Sequence, residues 1–305
     1  MRIVVLGSAA GGGFPQWNCN APTSHGVRTG SLRAKKRTQA SLAVSADGER
    51  WLLVNASPDF RQQVGDTPAL WPRGGLRHSP IEAVILTSGE IDHVAGLLSM
   101  RESQPFALWA APPVLAALAA NPIFDALSPR CVERHGVTSA GPFPITGPSG
   151  ALGLTVTAFP VPGKVPLYLE GQAGANLSGA ADETMGLEIA CGPARFHYIP
   201  GCAAMTPALR ARLRQSPLVF FDGTLWRDDE LIATGVGTKT GQRMGHMSID
   251  GPDGTVAAFA DLGVRRKVLV HVNTTNPVLD EDSPERAALA AAGWEVAEDG
   301  MEMAP

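Results

Sequence analysis

Four times along the chain a short apolar run, rich in β-branched or aromatic residues, stops abruptly at a glycine or a polar side chain. Arg2–Leu6 (RIVVL) meets Gly7, Ala83–Leu86 (AVIL) meets Thr87, Leu218–Phe221 (LVFF) meets Asp222, and Lys267–Val270 (KVLV) meets His271. Runs of this length and composition read as buried strands rather than helices. Buried strands need layers packed against them, and loops at their ends project side chains from a fixed backbone. The chain is therefore constrained to a sheet-based fold with its chemistry at strand ends.

The segments between these runs supply the covering layers. Thr38–Ser45 alternates polar with apolar residues, and Trp51–Val54 follows the turn at Asp47-Gly48, which predicts a β-hairpin. Pro58 keeps Asn55–Asp59 out of helix and marks a polar loop. His93–Met100 has apolar residues at helical spacing, Phe106–Trp109 is strand-like, and Pro113–Ala120 opens a helix on proline. Strand, loop and helix thus repeat in α/β fashion. Further short strands are expected at 152–159, 186–190, 195–199, 218–222 and 267–272, with helices at 207–214 and 285–292. The 34 Gly and 25 Pro call for many turns and argue against a helical bundle. No linker, composition break or repeat divides the chain, so residues 1–305 read as one domain built from two similar halves.

Charge and cysteine usage narrow the class. With 25 Lys+Arg against 29 Asp+Glu the formal charge is -4, which provides no overall field toward nucleic acid or anionic lipid. Cys19, Cys131, Cys191 and Cys202 are widely spaced without a CxxC, as expected of thiols in a reducing compartment. The N-terminal apolar run is too short for a signal peptide or a spanning helix, so the expectation is a cytoplasmic protein with no membrane insertion.

Three strand ends carry candidate chemistry. After AVIL, the segment Thr87-Ser88-Gly89-Glu90-Ile91-Asp92-His93 brings two carboxylates and an imidazole together, a donor set suited to Fe(II), Mn(II) or Zn(II). The same residues also fit a plain reading in which Glu90 and Asp92 cap the next helix and His93 is a satisfied imidazole. Asp222 is driven to a strand end and followed by Gly223, as a ligand or as an Asx-turn. His271 is followed by Val272-Asn273-Thr274-Thr275-Asn276, as a ligand held by its neighbours or as a core histidine bonded to its own loop. Met244-Gly245-His246 lies in a Gly-rich loop with Lys239 and Arg243, either a cover that orients substrate carboxylates or a surface loop. The glycines at 7 and 11–13 match neither GxGxxG nor GxxxxGK[ST], which argues against a nucleotide.

Taken together, these segments resemble a known family. Thr87-x-x-x-x-Asp92-His93-x-x-Gly96 is similar to the THxHxDHxxG motif of the metallo-beta-lactamase-like superfamily. GSAAGGGFPQWNCN (7–20), NASPDFRQQ (55–63), FFDGT (220–224), MGHMSIDG (244–251) and HVNTTNPVL (271–279) resemble, more closely, the pyrroloquinoline quinone (PQQ) biosynthesis protein B family, essentially end to end. The resemblance implies a four-layered α/β/β/α sandwich with a metal site at one edge, held by Asp92, His93, Asp222 and His271. Ser88 and Glu90 stand where the superfamily motif has its first two histidines, so the three-histidine first metal position is missing. That substitution weakens a binuclear hydrolase, whereas two histidines with carboxylates and open positions suit O₂ activation by Fe(II). Members often carry CysxCysxxCys after the Trp-Asn pair. Here Cys19 is retained while Ala21 and Ser24 take the other places, so no structural zinc is expected at Cys19.

The implied function is a step in PQQ biosynthesis, a metal- and oxygen-dependent hydroxylation of a tyrosine-derived precursor. Two alternatives are a carrier assisting transport of PQQ or its precursor to the periplasm and a metal-dependent hydrolase. The implied cofactor is a divalent metal, Fe(II) for activity, with Zn, Mn or Mg able to occupy the same ligands. Glu90 and His246 are the expected catalytic side chains, and Ser88, Lys239, Arg243 and Asn273 the expected substrate contacts. Expected partners are a small precursor derived from cross-linked Glu-Tyr and other PQQ biosynthesis proteins. A homodimer is compatible with the sequence, and nucleic acid is not expected.

Overall fold

A computed structural model describes residues 1–170 and 182–305. Its strands are β1 (Arg2–Gly7), β2 (Ser41–Ser45), β3 (Trp51–Val54), β4 (Ile81–Ile85), β5 (Phe106–Ala110), β6 (Val132–Gly136), β7 (Phe143–Gly147), β8 (Gly150–Pro160), β9 (Met185–Cys191), β10 (Ala194–Ile199), β11 (Leu218–Asp222), β12 (Arg266–Val270), β13 (Trp294–Val296) and β14 (Glu302–Met303). They form two sheets, ordered β14-β1-β2-β3-β4-β5-β6 and β13-β12-β11-β10-β9-β8-β7. In the first sheet the pairs from β14 to β3 are antiparallel and those from β3 to β6 parallel. The second repeats the pattern, antiparallel from β7 to β10 and parallel from β10 to β13. The chain thus contains two halves of like topology.

Period-two alternation explains the layering. In β11, Leu218 and Phe220 enter a core shared with Ile3, Leu42, Leu53 and Val84 of the first sheet. Val219 and Phe221 point the other way, onto Leu209, Leu213, Phe259 and Leu289 of the helices Pro207–Leu213, Thr255–Phe259 and Pro284–Ala291. A side chain such as Phe220, with no exposed area, contributes roughly 1.5–3 kcal/mol through burial. Helices Phe60–Asp66 and Pro112–Ala119 flank the first sheet, which completes the α/β/β/α sandwich.

Two expected elements differ. His93–Met100 is not one α-helix: an α-turn at Ile91–Val94 passes into a 3-10 stretch at Ala95–Met100. Gly96 N–H donates to Ala56 O rather than to its own helix, and a Cβ on Gly96 would lie 2.1 Å from Ser57 O. Close docking on the 55–57 loop therefore replaces regular helix geometry and requires glycine. The strand expected at 267–272 ends at Val270, because His271 has a left-handed φ of 58°. Among the described residues no helix is long and apolar enough to cross a membrane.

Candidate metal centre

The ends of β1, β4, β11 and β12 meet where the two sheets join. Ala9 forms parallel bridges to both Gln39 and Val272, tying the loop after β1 to the loop after β12. Val270 faces the inter-sheet core, so continued alternation would turn residue 271 toward the helices. The left-handed turn takes His271 out of that alternation and sets its Nε2 2.9 Å from Asp92 Oδ2, on a loop of the other sheet. A non-glycine residue held at positive φ costs about 1–3 kcal/mol and typically marks a functional constraint.

Asp92, His93 and His271 form one compact cluster, and Asp222, His246 and His271 form a second that shares the His271 ring. On the first side, His93 Nδ1 lies 2.7 Å from Ser88 Oγ and 3.4 Å from Thr87 Oγ1, with Thr87 fixed by Asn55. His93 Nε2 is buried and has no hydrogen-bond partner among the described residues, while Asp92 Oδ2 lies 3.9 Å away. On the second side, Thr224 is the hub: its Oγ1 donates to Asp222 Oδ1 at 2.6 Å and lies 2.9 Å from His271 Nδ1 and 3.1 Å from His246 Nδ1. Asp222 Oδ2 accepts from Cys202 N–H and lies 2.7 Å from His246 Nδ1.

This packing separates the ionisation states. Burial pushes His93 down to about 4, aided by the neighbouring imidazoles and opposed by Asp92, so the ring is neutral near pH 7. Burial opposes ionisation of Asp92, yet the His93 and His271 imidazoles outweigh it and hold the carboxyl well below the usual range. Burial also acts to lower His271, but its hydrogen bond to Asp92 and the nearby carboxylates reverse the direction and raise it. Asp222 is lowered, the His246 and His271 imidazoles outweighing the effect of burial.

The clusters face a cavity of about 540 Å³, within the size range of small-molecule sites. Ser88, Glu90, Asp92, His93, Lys239, His246, His271 and Asn273 line it. Glu90 is at the start of the Ile91–Val94 turn but makes no capping bond, since its carboxylate pairs with Lys164 Nζ at 2.7 Å. Asp222 does make the Asx-type bond, Thr224 N–H to Oδ1 at 3.0 Å, alongside its bond to His246. Asn273 Nδ2 donates to Thr275 Oγ1. Arg243 touches the site through Glu170, which also meets Lys239, so both cations already have a carboxylate partner. Lys164, Glu170 and the hub role of Thr224 were missed by sequence reasoning. Lys164 and Glu170 sit in a stretch without strand or helix periodicity, and only the Asp222-Gly-Thr224 spacing hinted at the third.

Comparison with known proteins agrees with this fold. A family model described as Beta-lactamase superfamily domain matches residues 50–272. Coenzyme PQQ synthesis protein B of Xanthomonas campestris pv. campestris is 65% identical over 303 residues, covering 99% of each chain. The chain belongs to the coenzyme PQQ synthesis protein B family. Another member of this PqqB family, from Gluconacetobacter diazotrophicus, is 58% identical over 300 residues, 98% of each chain. The crystal structure of Zn²⁺-bound PqqB from Methylobacterium extorquens superposes with a TM-score of 0.94 at 50% identity over 99% of each chain. A diphosphatase of the PhnP family shares the fold at a TM-score of 0.69 and 21% identity, covering 100% of this chain and 98% of its own.

Proposed function

We propose that this PqqB-family chain acts in PQQ biosynthesis as a metal-dependent hydroxylase of a small, tyrosine-derived, carboxylate-bearing precursor. The observation that carries the reading is the buried, unpartnered His93 Nε2 beside Asp92 Oδ2 and His271, on a cavity large enough for such a molecule. A buried ring nitrogen without a partner is costly unless something binds it, and a carboxylate with two imidazoles is a fitting donor set for a divalent ion. The Zn²⁺-bound PqqB from Methylobacterium extorquens supports a divalent ion in this family. Asp92, His93 and His271 would hold the ion, with Asp222 completing the set or anchoring it through Thr224 and His246. When bound, Fe(II) with open positions supplies O₂ activation.

The chain's own residues prepare that site. His93 is already neutral near pH 7, so it can act as a ligand without releasing a proton, and Ser88 Oγ fixes its ring. His246, stacked on His271 with ring centroids 5.2 Å apart and bonded to Asp222, is placed to hold or pass a proton at Nδ1. Ser88 is engaged with His93 and Glu90 with Lys164, so neither residue at the first two histidine positions of the superfamily motif is a spare donor.

The test is to load metal-free protein with Fe(II) anaerobically, add a tyrosine-derived precursor, admit isotopically heavy O₂, and follow the product by mass spectrometry. Incorporation of heavy oxygen that depends on Fe(II) is expected. Tight binding of PQQ without turnover would favour the carrier, and oxygen-independent cleavage the hydrolase.

A further inference from the structure

The cavity has a second wall, of opposite charge to the metal side. Lys164 is 12% exposed in its side chain, and its Nζ lies 2.7 Å from Glu90 Oε1 and 3.4 Å from Glu170 Oε1. Glu170 Oε2 lies 2.9 Å from Arg243 and 3.4 Å from Lys239. Three cations thus face two carboxylates, leaving one positive charge in excess on this wall.

The network is also badly satisfied. Glu170 Oε1 and a terminal nitrogen of Arg243 (Nη1) are both buried without a hydrogen-bond partner among the described residues. Buried charged groups normally have all such atoms engaged, and a guanidinium offers a carboxylate two parallel N–H donors. Here only Nη2 meets Glu170. A carboxylate whose Oε1 meets Lys164 only as an ion pair at 3.4 Å, without a hydrogen bond, and that engages one of the two terminal nitrogens of Arg243 is a poor permanent partner for these cations. Two of the three, Lys164 and Lys239, line the same cavity as Asp92, His93 and His271. An anion entering from the cavity can therefore reach both the ion-binding cluster and this wall.

Taking the cavity as the substrate site of the proposed hydroxylase, we propose that Lys164, Lys239 and Arg243 form the seat for a substrate with at least two carboxylates. Glu170 occupies that seat and gives it up on binding. Lys164 is the anchor, since it alone among the three contacts both Glu90 and Glu170. Glu90 then acts as a positioning residue that holds the Lys164 ammonium toward the cavity.

The probe is trimesate, a rigid benzene tricarboxylate whose spaced carboxylates chelate metal poorly, titrated calorimetrically into the full-length chain in metal-free and Zn²⁺-loaded forms. Glu170→Gln removes the competing charge and is expected to tighten binding about tenfold, whereas Lys164→Met should weaken it by a similar factor. Both effects should appear in the two metal states and shrink as salt is raised. If Lys164→Met does not fold, as judged by circular dichroism, Lys239→Met carries the same expectation. Unchanged or weaker binding by Glu170→Gln, or no trimesate binding by any form, would overturn the proposal. Because the titration needs no turnover, the seat stands or falls separately from the oxygenase reading: opposed shifts with no heavy-oxygen incorporation would retain the first and remove the second.

Discussion

Replacing Ser88 by alanine tests how this fold prepares a metal ligand. Ser88 Oγ lies 2.7 Å from His93 Nδ1, and the remaining neighbour, Thr87 Oγ1, is at 3.4 Å and already engaged with Asn55. In the form competent to bind metal, Nδ1–H donates to Ser88 and leaves the Nε2 lone pair beside Asp92 and His271. Without the hydroxyl that tautomer loses its good acceptor, since a contact at 3.4 Å is at the margin of a hydrogen bond. Loss of an outer partner of a metal-bound histidine typically lowers affinity about 10- to 100-fold, roughly 1.4–2.7 kcal/mol. The assay is a chelator-competition titration with Zn²⁺ on wild type and Ser88→Ala, with urea unfolding of the metal-free proteins as a control for stability. Equal Zn²⁺ affinity in the two proteins would refute the argument that Ser88 sets the His93 ring.

Other expectations follow from the same geometry. Asp92→Ala should cut metal retained after desalting by about tenfold or more, measured by mass spectrometry of the ion, because it removes the carboxylate between His93 and His271. Phe220→Ala should destabilise the metal-free protein by about 3–5 kcal/mol in urea, since Phe220 is fully buried and packs edge-on against Phe196 and Tyr198. Glu230, raised to about 7 chiefly by burial, binds its proton more tightly in the folded chain than in the unfolded one. Its contribution is therefore full below about pH 4.5 and falls through pH 7, a loss of about 3 kcal/mol at most, and Glu230→Gln should flatten that slope in unfolding measured across pH.

The legible parts of the chain were those where one physical signal dominated. LVFF and the VLV of KVLV are buried on both faces, so their apolar runs declared β11 and β12, and the polar residues that stopped them marked the site. The edge strands were not legible: β6, with the sequence VERHG, is largely half-buried or exposed, and β14 has two residues. The helix Pro22–Thr29 was missed because it buries only Ser24 and Gly26 and so has no apolar stripe. Asp92, His93 and His271 were recognisable because strand ends advertise their polar side chains. Thr224 as a hub, and Lys164 with Glu170 as the opposite wall, depend on three-dimensional convergence that no local pattern encodes.

Whether one divalent ion is shared by Asp92, His93 and His271 is measured directly by anomalous X-ray scattering from crystals of the Zn²⁺-loaded chain. A strong peak is expected at coordination distance, about 2.0–2.2 Å, from Asp92 Oδ2, His93 Nε2 and His271 Nε2. A peak lying only between Asp222 and His246, or none near His93 in protein that binds a full equivalent of zinc, would contradict a shared ion.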